Sequence, residues 1–145
     1  MTEKTPSIDQ RELQRLVLEY QYLRQVLNTI SQQLEVLNTT RLDLLKTKMT
    51  LDGISVADKN AKALVPIGAG VHLYVILHNV ERVLLDIGHR YFMEYDIKKA
   101  REYIDKRLKE VDETLKKLQE ESANINKRLA EIAPILQKYL RSSGR

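Results

Sequence analysis

The sequence predicts a mainly α-helical fold, a long antiparallel coiled-coil hairpin interrupted at its middle by two β-hairpins. Three observations carry this expectation. Two long stretches repeat apolar residues at alternating spacings of three and four, the period of helices that pack side by side. The stretch between them is rich in Val, Ile, Leu and Tyr and is punctuated by Gly68, Gly70 and Gly88, the vocabulary of short strands and tight turns. Of 145 residues 30% are charged, while the aromatic residues are seven Tyr, one Phe and no Trp. Such a chain has little material for a thick globular core and suits long solvated helices. Residues 1–145 read as one domain, with helix one at 7–52, the hairpins within 64–95 and helix two at 96–141.

Helix one opens near Ser7, which has capping-box spacing to Gln10, with Asp9 as a rival cap. Its seam runs Leu13, Leu16, Tyr20, Leu23, Leu27, Ile30, Leu34, Leu37, Arg41, Leu44, Lys48 and Leu51, apolar throughout save Arg41 and Lys48. Because Leu42, Leu45 and Met49 continue an apolar row one position over, the seam is expected to shift there. Asp52-Gly53 is the expected stop, since glycine tolerates the left-handed conformation that closes helices.

Helix two follows Asp96 as N-cap. Ile97, Ala100 and Ile104 lead through a four-residue stutter into Leu108, Val111, Leu115, Leu118, Ser122, Ile125, Leu129, Ile132, Leu136 and Tyr139. Each helix has about 45 residues and is roughly 65 to 70 Å long at 1.5 Å per residue. Equal lengths favour an antiparallel pair.

Between the helices, strands are expected at 64–67, 71–77, 83–87 and 91–95, with turns at Gly68-Ala69-Gly70, His78 to Arg82, and Gly88-His89-Arg90. Val71, Leu73, Val75 and Leu77 would share one face, as would Val83, Leu85 and Ile87. Pro66 marks the first strand as an edge. Short strands with apolar edges need covering, so oligomerisation through this region is expected. A two-helix seam buries little apolar area per residue, which adds to the need for partners.

Little in the sequence suggests catalysis, a cofactor or a metal. No cysteine is present, which excludes disulfides and thiolate sites and fits a reducing cytoplasm. His72, His78 and His89 fall in the β-region without any recognised ligand spacing. Gly68-Ala69-Gly70 lacks the Lys-Ser/Thr pair and the following helix of a phosphate-binding loop, so it is read as a turn. Carboxylate runs such as Glu120-Glu121 lie off the seam, where solvated surface is expected. No stretch approaches the roughly 18 to 20 apolar residues of a membrane span, and the first residues lack a signal peptide's apolar stretch. The net charge of +4 mixes 24 basic with 20 acidic residues, which does not make the continuous basic stripe of a nucleic-acid-binding arm.

The distal ends are the most suggestive. In the middle of helix two the off-seam positions are polar, for example Lys116, Lys117, Glu120, Asn124 and Lys127. Toward its end the apolar face widens to include Ala130, Ala133, Ile135 and Leu140 beside Ile132, Leu136 and Tyr139. Helix one widens at the same end, where Val17, Leu18 and Tyr22 flank Leu13, Leu16 and Tyr20. Excess apolar surface marks an interaction site; packing on a neighbouring subunit, or simple fraying, remains the competing reading. Pro134 is expected to kink or end helix two, splaying its last apolar turn.

Two heptad helices around two β-hairpins resemble the plan of prefoldin, and local sequence agrees. Leu64-Val65-Pro66-Ile67-Gly68-Ala69-Gly70-Val71 is similar to that family's Leu-Val-Pro-Leu/Ile-Gly stretch, and Val83-Leu84-Leu85-Asp86-Ile87-Gly88 to its second hairpin. Tyr91-Phe92-Met93-Glu94 followed by Ala100 is similar to its run into helix two. Two hairpins resemble the archaeal α class, since β-class subunits have one. Arg90, Lys99 and the basic net charge depart from the family's usual pattern.

The resemblance implies a hexamer of two α-class and four β-class subunits, whose hairpins form an intersubunit β-barrel platform. In this chain Val65, Ile67, Val71, Leu73, Val75, Leu77, Val83, Leu85 and Ile87 would serve assembly. It also implies an ATP-independent holdase that grips non-native polypeptides at its coiled-coil tips and passes them to a group II chaperonin. The grip would fall on Leu13, Leu16, Val17, Tyr20, Ile132, Ile135, Leu136 and Tyr139. No nucleic-acid or membrane partner is implied. Two rivals are a structural coiled-coil scaffold, which leaves the β-region and widened ends unexplained, and a nucleic-acid-binding helical arm, which needs the missing basic stripe.

Overall fold

The computed structural model describes residues 8–144. Its elements in order are α1 (Gln10–Ser55), β1 (Lys62–Gly68), β2 (Val71–Ile76), β3 (Arg82–Gly88), β4 (Tyr91–Asp96) and α2 (Ile97–Ser142). The chain forms two compact units, one of residues up to Asn38 together with those from Glu113, the other Thr39–Asp112.

In the first unit α1 pairs antiparallel with α2 around Leu16, Ile30, Leu115, Ile125, Leu129 and Ile132. Tyr20, Leu23, Val26, Leu27, Leu34 and Leu118 pack half-buried against Ile30, Ile125 and Leu129. The second unit repeats the pairing with Leu44 and Leu51 against Ile97, Ala100, Ile104, Leu108 and Val111. Every buried apolar side chain among the described residues lies on a seam position read from the heptads. Half-burial of the other α1 seam residues follows from having one partner helix, which leaves the flanks of each seam open to solvent.

Several boundaries differ from the sequence expectation. The Ser7 cap lies outside the described residues; Asp9, the rival, caps α1. Leu13 N–H donates to its carbonyl at 3.0 Å and Arg11 N–H to its Oδ1 at 3.4 Å. At the other end α1 does not stop at Asp52-Gly53 but runs to Ser55. Gly53 keeps a helical backbone, and the left-handed residue comes later, at Asn60 with φ 65°. Nor does the seam shift near Arg41. Leu44 and Leu51 stay buried, and the two charged seam residues reach across to α2, Arg41 Nε to Asp112 at 2.6 Å and Lys48 Nζ to Asp105 at 2.6 Å. Long basic side chains can lie along the seam with their charges outside it, so Leu42 and Met49 are left exposed.

The four strands form two separate antiparallel pairs, β1 with β2 and β3 with β4. Each pair has a bulge one residue before its turn, at Pro66/Gly68 and at Asp86/Gly88, and each closes on a two-residue loop. Ala69-Gly70 and His89-Arg90 all have positive φ, from 48° to 79°, the geometry of type I′ turns. Asp86 Oδ1 accepts the Gly88 N–H at 2.9 Å and steadies the second bulge. Leu77 falls beyond β2, although its N–H still donates to the Ala61 carbonyl at 2.9 Å. Asp96 ends β4 and caps α2, its Oδ1 accepting the Lys99 N–H at 2.7 Å. Helix α2 neither stops nor breaks at Pro134 but continues to Ser142. No helix among the described residues is long and apolar enough to cross a membrane.

Candidate functional site

The hairpins expose apolar side chains on both faces. Strand pairing places Val65 opposite Leu73 and Ala63 opposite Val75 on one face of the first hairpin, with Leu64 opposite Tyr74 on the other. Ile67, Val71 and Ile76 are exposed as well. In the second hairpin Val83 with Tyr95 and Leu85 with Met93 share a face, and Leu84 lies on the opposite one with Phe92. Val75, Leu77, Val83, Leu85 and Tyr95 are half-buried, whereas Leu84, Ile87, Tyr91, Phe92 and Met93 are exposed. The assembly set read from the sequence therefore takes residues from one face of each hairpin; it omits Leu64, Tyr74, Ile76, Leu84 and Phe92 on the opposite faces, and Tyr91 and Met93 of β4 beside Leu85. The strict alternation that singles out one face of a strand hides an apolar second face, and the continuous Leu64-Val65 and Leu84-Leu85 pairs were the available signal. Each sheet has only two strands, so both outer edges carry unpaired backbone groups.

In the first unit the residues expected to grip clients separate into three groups by burial. Leu16 and Ile132 are buried in the seam, Ile132 with 0% exposure, while Leu13, Tyr20, Ile135, Leu136 and Tyr139 are half-buried and Val17 is exposed. The most open large apolar side chains here are Leu18 at 66%, Tyr22 at 65% and Leu140 at 72%. Tyr139 is also tethered, since its hydroxyl accepts the Ile8 N–H at 2.7 Å. An open cleft of about 490 Å³ lies farther along, lined by Val36, Leu37 and Leu118 with Thr29, Gln32, Gln33 and Thr114.

One ion cluster clamps this unit. Arg128 takes Glu19 in a fork, Nε to Oε1 at 2.7 Å and Nη2 to Oε2 at 3.1 Å, and reaches Glu131 Oε2 with Nη1 at 3.2 Å. The hydrogen bond from Arg128 holds the Glu19 carboxyl below its usual range, partly opposed by desolvation and assisted by the charges of Arg128 and Arg15. The carboxylates of Glu19 and Glu131 keep the guanidinium protonated. In the second unit Arg101 Nε lies 2.9 Å from Asp52 Oδ1, a contact by charge without an aligned hydrogen bond.

None of the described His, Asp or Glu residues form a group of three able to hold a metal ion. His72 Nδ1 instead lies 3.0 Å from the Gly70 carbonyl of its own turn. Gly68-Ala69-Gly70 closes a hairpin, with Gly68 opposite Val71, and no helix follows it to receive a phosphate. What this arrangement offers is apolar surface in two places, with a buried seam beneath one of them.

Comparison with known proteins gives a consistent answer. The prefoldin subunit family matches residues 23–141. The prefoldin subunit alpha of Pyrococcus horikoshii is 34% identical over 124 residues, 85% of this chain and 84% of that protein. The prefoldin subunit alpha of Archaeoglobus fulgidus is 28% identical over 109 residues, 75% of this chain and 80% of that one. Among solved structures, filamentous prefoldin from Methanocaldococcus jannaschii matches in fold with a TM-score of 0.69 at 16% identity, covering 80% of this chain and 96% of that one.

Proposed function

The chain belongs to the prefoldin family of chaperone subunits, and on that premise we propose that it is an α-class subunit acting as an ATP-independent holdase. The observation that carries this reading is the pairing of two separate apolar surfaces on one chain. The hairpins, apolar on both faces and open at both edges, suit burial against other prefoldin subunits, in a hexamer of two α-class and four β-class chains. Leu18, Tyr22, Val17 and Leu140 remain exposed over the seam of the first unit and suit loose capture of non-native polypeptides.

Such capture needs no side-chain alignment and no nucleotide. A client with exposed apolar segments gains a little from each Leu or Tyr it covers, and several subunits held in one complex multiply weak contacts into useful avidity. Leu16 and Ile132 serve this function indirectly, by holding the helices that present the exposed residues. The proposed client surface is therefore shifted from the seam to its flanks. Release goes to a group II chaperonin in the cytoplasm, and the domain operates as one prefoldin unit.

The test is suppression of light scattering by a chemically unfolded client, using the complex reconstituted with a β-class subunit. Protection by the intact complex without added nucleotide, lost on truncation after Glu131 with assembly preserved, supports the reading. Absence of protection by the intact complex sinks the holdase assignment. Protection unchanged by truncation sinks the placement of the client surface.

A further inference from the structure

We propose that the client surface of the first unit selects non-native segments whose apolar residues are flanked by carboxylates. This rests on the holdase reading above and names the class of polypeptide that the surface prefers. The exposed apolar side chains Val17, Leu18, Tyr22 and Leu140 lie in stretches almost without acids. From Leu13 to Leu34 the sole carboxylate side chain is Glu19, and from Ile132 to Gly144 there is none, whereas the whole chain has 20 acids in 145 residues. The same two stretches carry Arg15, Arg24, Lys138 and Arg141, all exposed.

Three observations point to an acidic occupant. First, the nearby carboxylates are already engaged. Glu19 accepts from Arg128 with both oxygens, at 2.7 and 3.1 Å, and Glu131 accepts from the same guanidinium at 3.2 Å, while Asp9 caps α1. Arg15 adds its charge to the field at Glu19, but neither it nor Arg11, Arg24, Lys138 or Arg141 makes an ion pair among the described residues. Second, α1 opposes its own cations. Arg11 and Arg15 are four residues apart, a spacing at which like charges repel, and Arg11 lies in the first turn, where the helix dipole disfavours a cation. Arg141, in the last turn of α2, is favoured by the corresponding dipole, so the charge unexplained within the chain is the pair on α1. Third, charge and apolar surface share one row. Arg11, Arg15, Leu18 and Tyr22 follow at spacings of four, three and four, which aligns them along one side of α1, and all four are exposed. The Ile8 N–H that donates to the Tyr139 hydroxyl at 2.7 Å brings the start of α1 against the end of α2, beside Lys138 and Leu140. A segment covering Leu18 and Tyr22 therefore runs onto Arg15 and Arg11. Carboxylates in that segment meet complementary charge, whereas lysines meet repulsion.

The test uses one unfolded apolar peptide in three forms, flanked by Glu, by Gln or by Lys. Each form carries a fluorophore and is titrated by anisotropy against the complex reconstituted with a β-class subunit. The Glu-flanked form is expected to bind about tenfold more tightly than the Lys-flanked form at low salt, with the difference closing at high salt. Arg11→Gln/Arg15→Gln/Lys138→Gln/Arg141→Gln keeps good helix formers at exposed positions and is expected to shrink that ratio to about twofold. Any preference contributed by the β-class subunits is common to both complexes, so the change reports on this chain. Glu12→Gln, which removes a carboxylate outside any ion pair among the described residues, is expected to widen the ratio. Equal affinities for the three peptides, or a ratio that neither variant moves, overturns the inference and leaves the holdase reading intact. Displacement of the Glu-flanked peptide by mixed-sequence duplex DNA makes the surface a general polyanion site and overturns the inference as well. Binding of none of the three peptides overturns both.

Discussion

Burial assigns different jobs to residues that the heptads place side by side, and the difference is measurable. Ile132 is fully enclosed, whereas Leu18 and Leu140 on the flanks are about two-thirds and three-quarters exposed. Ile132→Ala removes three carbons from the seam. At about 0.8 kcal/mol per buried methylene this is roughly 2.4 kcal/mol, and the residual cavity adds to it within the usual range of about 2 to 5 kcal/mol. A two-helix seam is open at its flanks and partly closes over the gap, which places the expected loss at about 3 kcal/mol. With a urea dependence of about 2 kcal/mol per molar, the unfolding midpoint falls by about 1.5 M. Leu18→Gln with Leu140→Gln touches no buried contact and keeps good helix formers, so stability changes by less than about 0.5 kcal/mol. Client protection is expected to behave the other way: the double flank variant loses it in an assembled complex. The reasoning is refuted if the flank variant protects as well as the parent, or if Ile132→Ala costs less than about 1 kcal/mol.

Three further outcomes follow from the same geometry. Replacing Arg41 and Lys48 by Leu removes two exposed ion pairs, each contributing about 0 to 1 kcal/mol, and restores an apolar seam without stranding Asp112 or Asp105, which are half exposed. Denaturant midpoints of Arg41→Leu/Lys48→Leu are therefore expected to hold or rise, and a fall would show the pairs to be structural determinants. The Glu19 carboxyl, held below its ordinary value of 4.5 by Arg128, is a depressed acid. Its stabilisation is present above that value and is lost as pH falls through the lower folded one. Stability measured from pH 6 down to acid should decline less steeply in Glu19→Gln than in the parent. Equal slopes would remove Glu19 from the account. His89 and Arg90 both hold left-handed conformations, which cost roughly 1 kcal/mol or more per non-glycine residue. His89→Asn/Arg90→Gly matches the type I′ preference and is expected to raise the melting temperature of the chain, an increase absent if the turn is not so formed.

The legibility of this chain depended on where a residue's environment is set by its own helix partner. On the seams it is, and Leu44, Ile104 or Leu129 could be assigned to the interior from spacing alone, because a heptad position has one neighbour to face. The cap at Asp96 was equally local, needing only the following turn of α2. Elsewhere a local sign met a competing interaction. Gly53 has the freedom to close a helix, but closure also needs the next residues to leave the helical path, and the chain delays that until after Ser55. Arg41 and Lys48 looked like interruptions because charge was weighed without the Asp112 and Asp105 waiting on α2, spaced seven apart to match them. Once those pairs hold the seam in place, Leu42 and Met49 cease to be its continuation and become surface. Two-sided apolar exposure on the hairpins was hidden for a related reason: period-two alternation presumes one wet face and so could identify only part of it. The surplus of apolar positions over what one partner helix can bury is thus left on the surface, and Leu42, Met49, Leu64 and Tyr74 are where it shows.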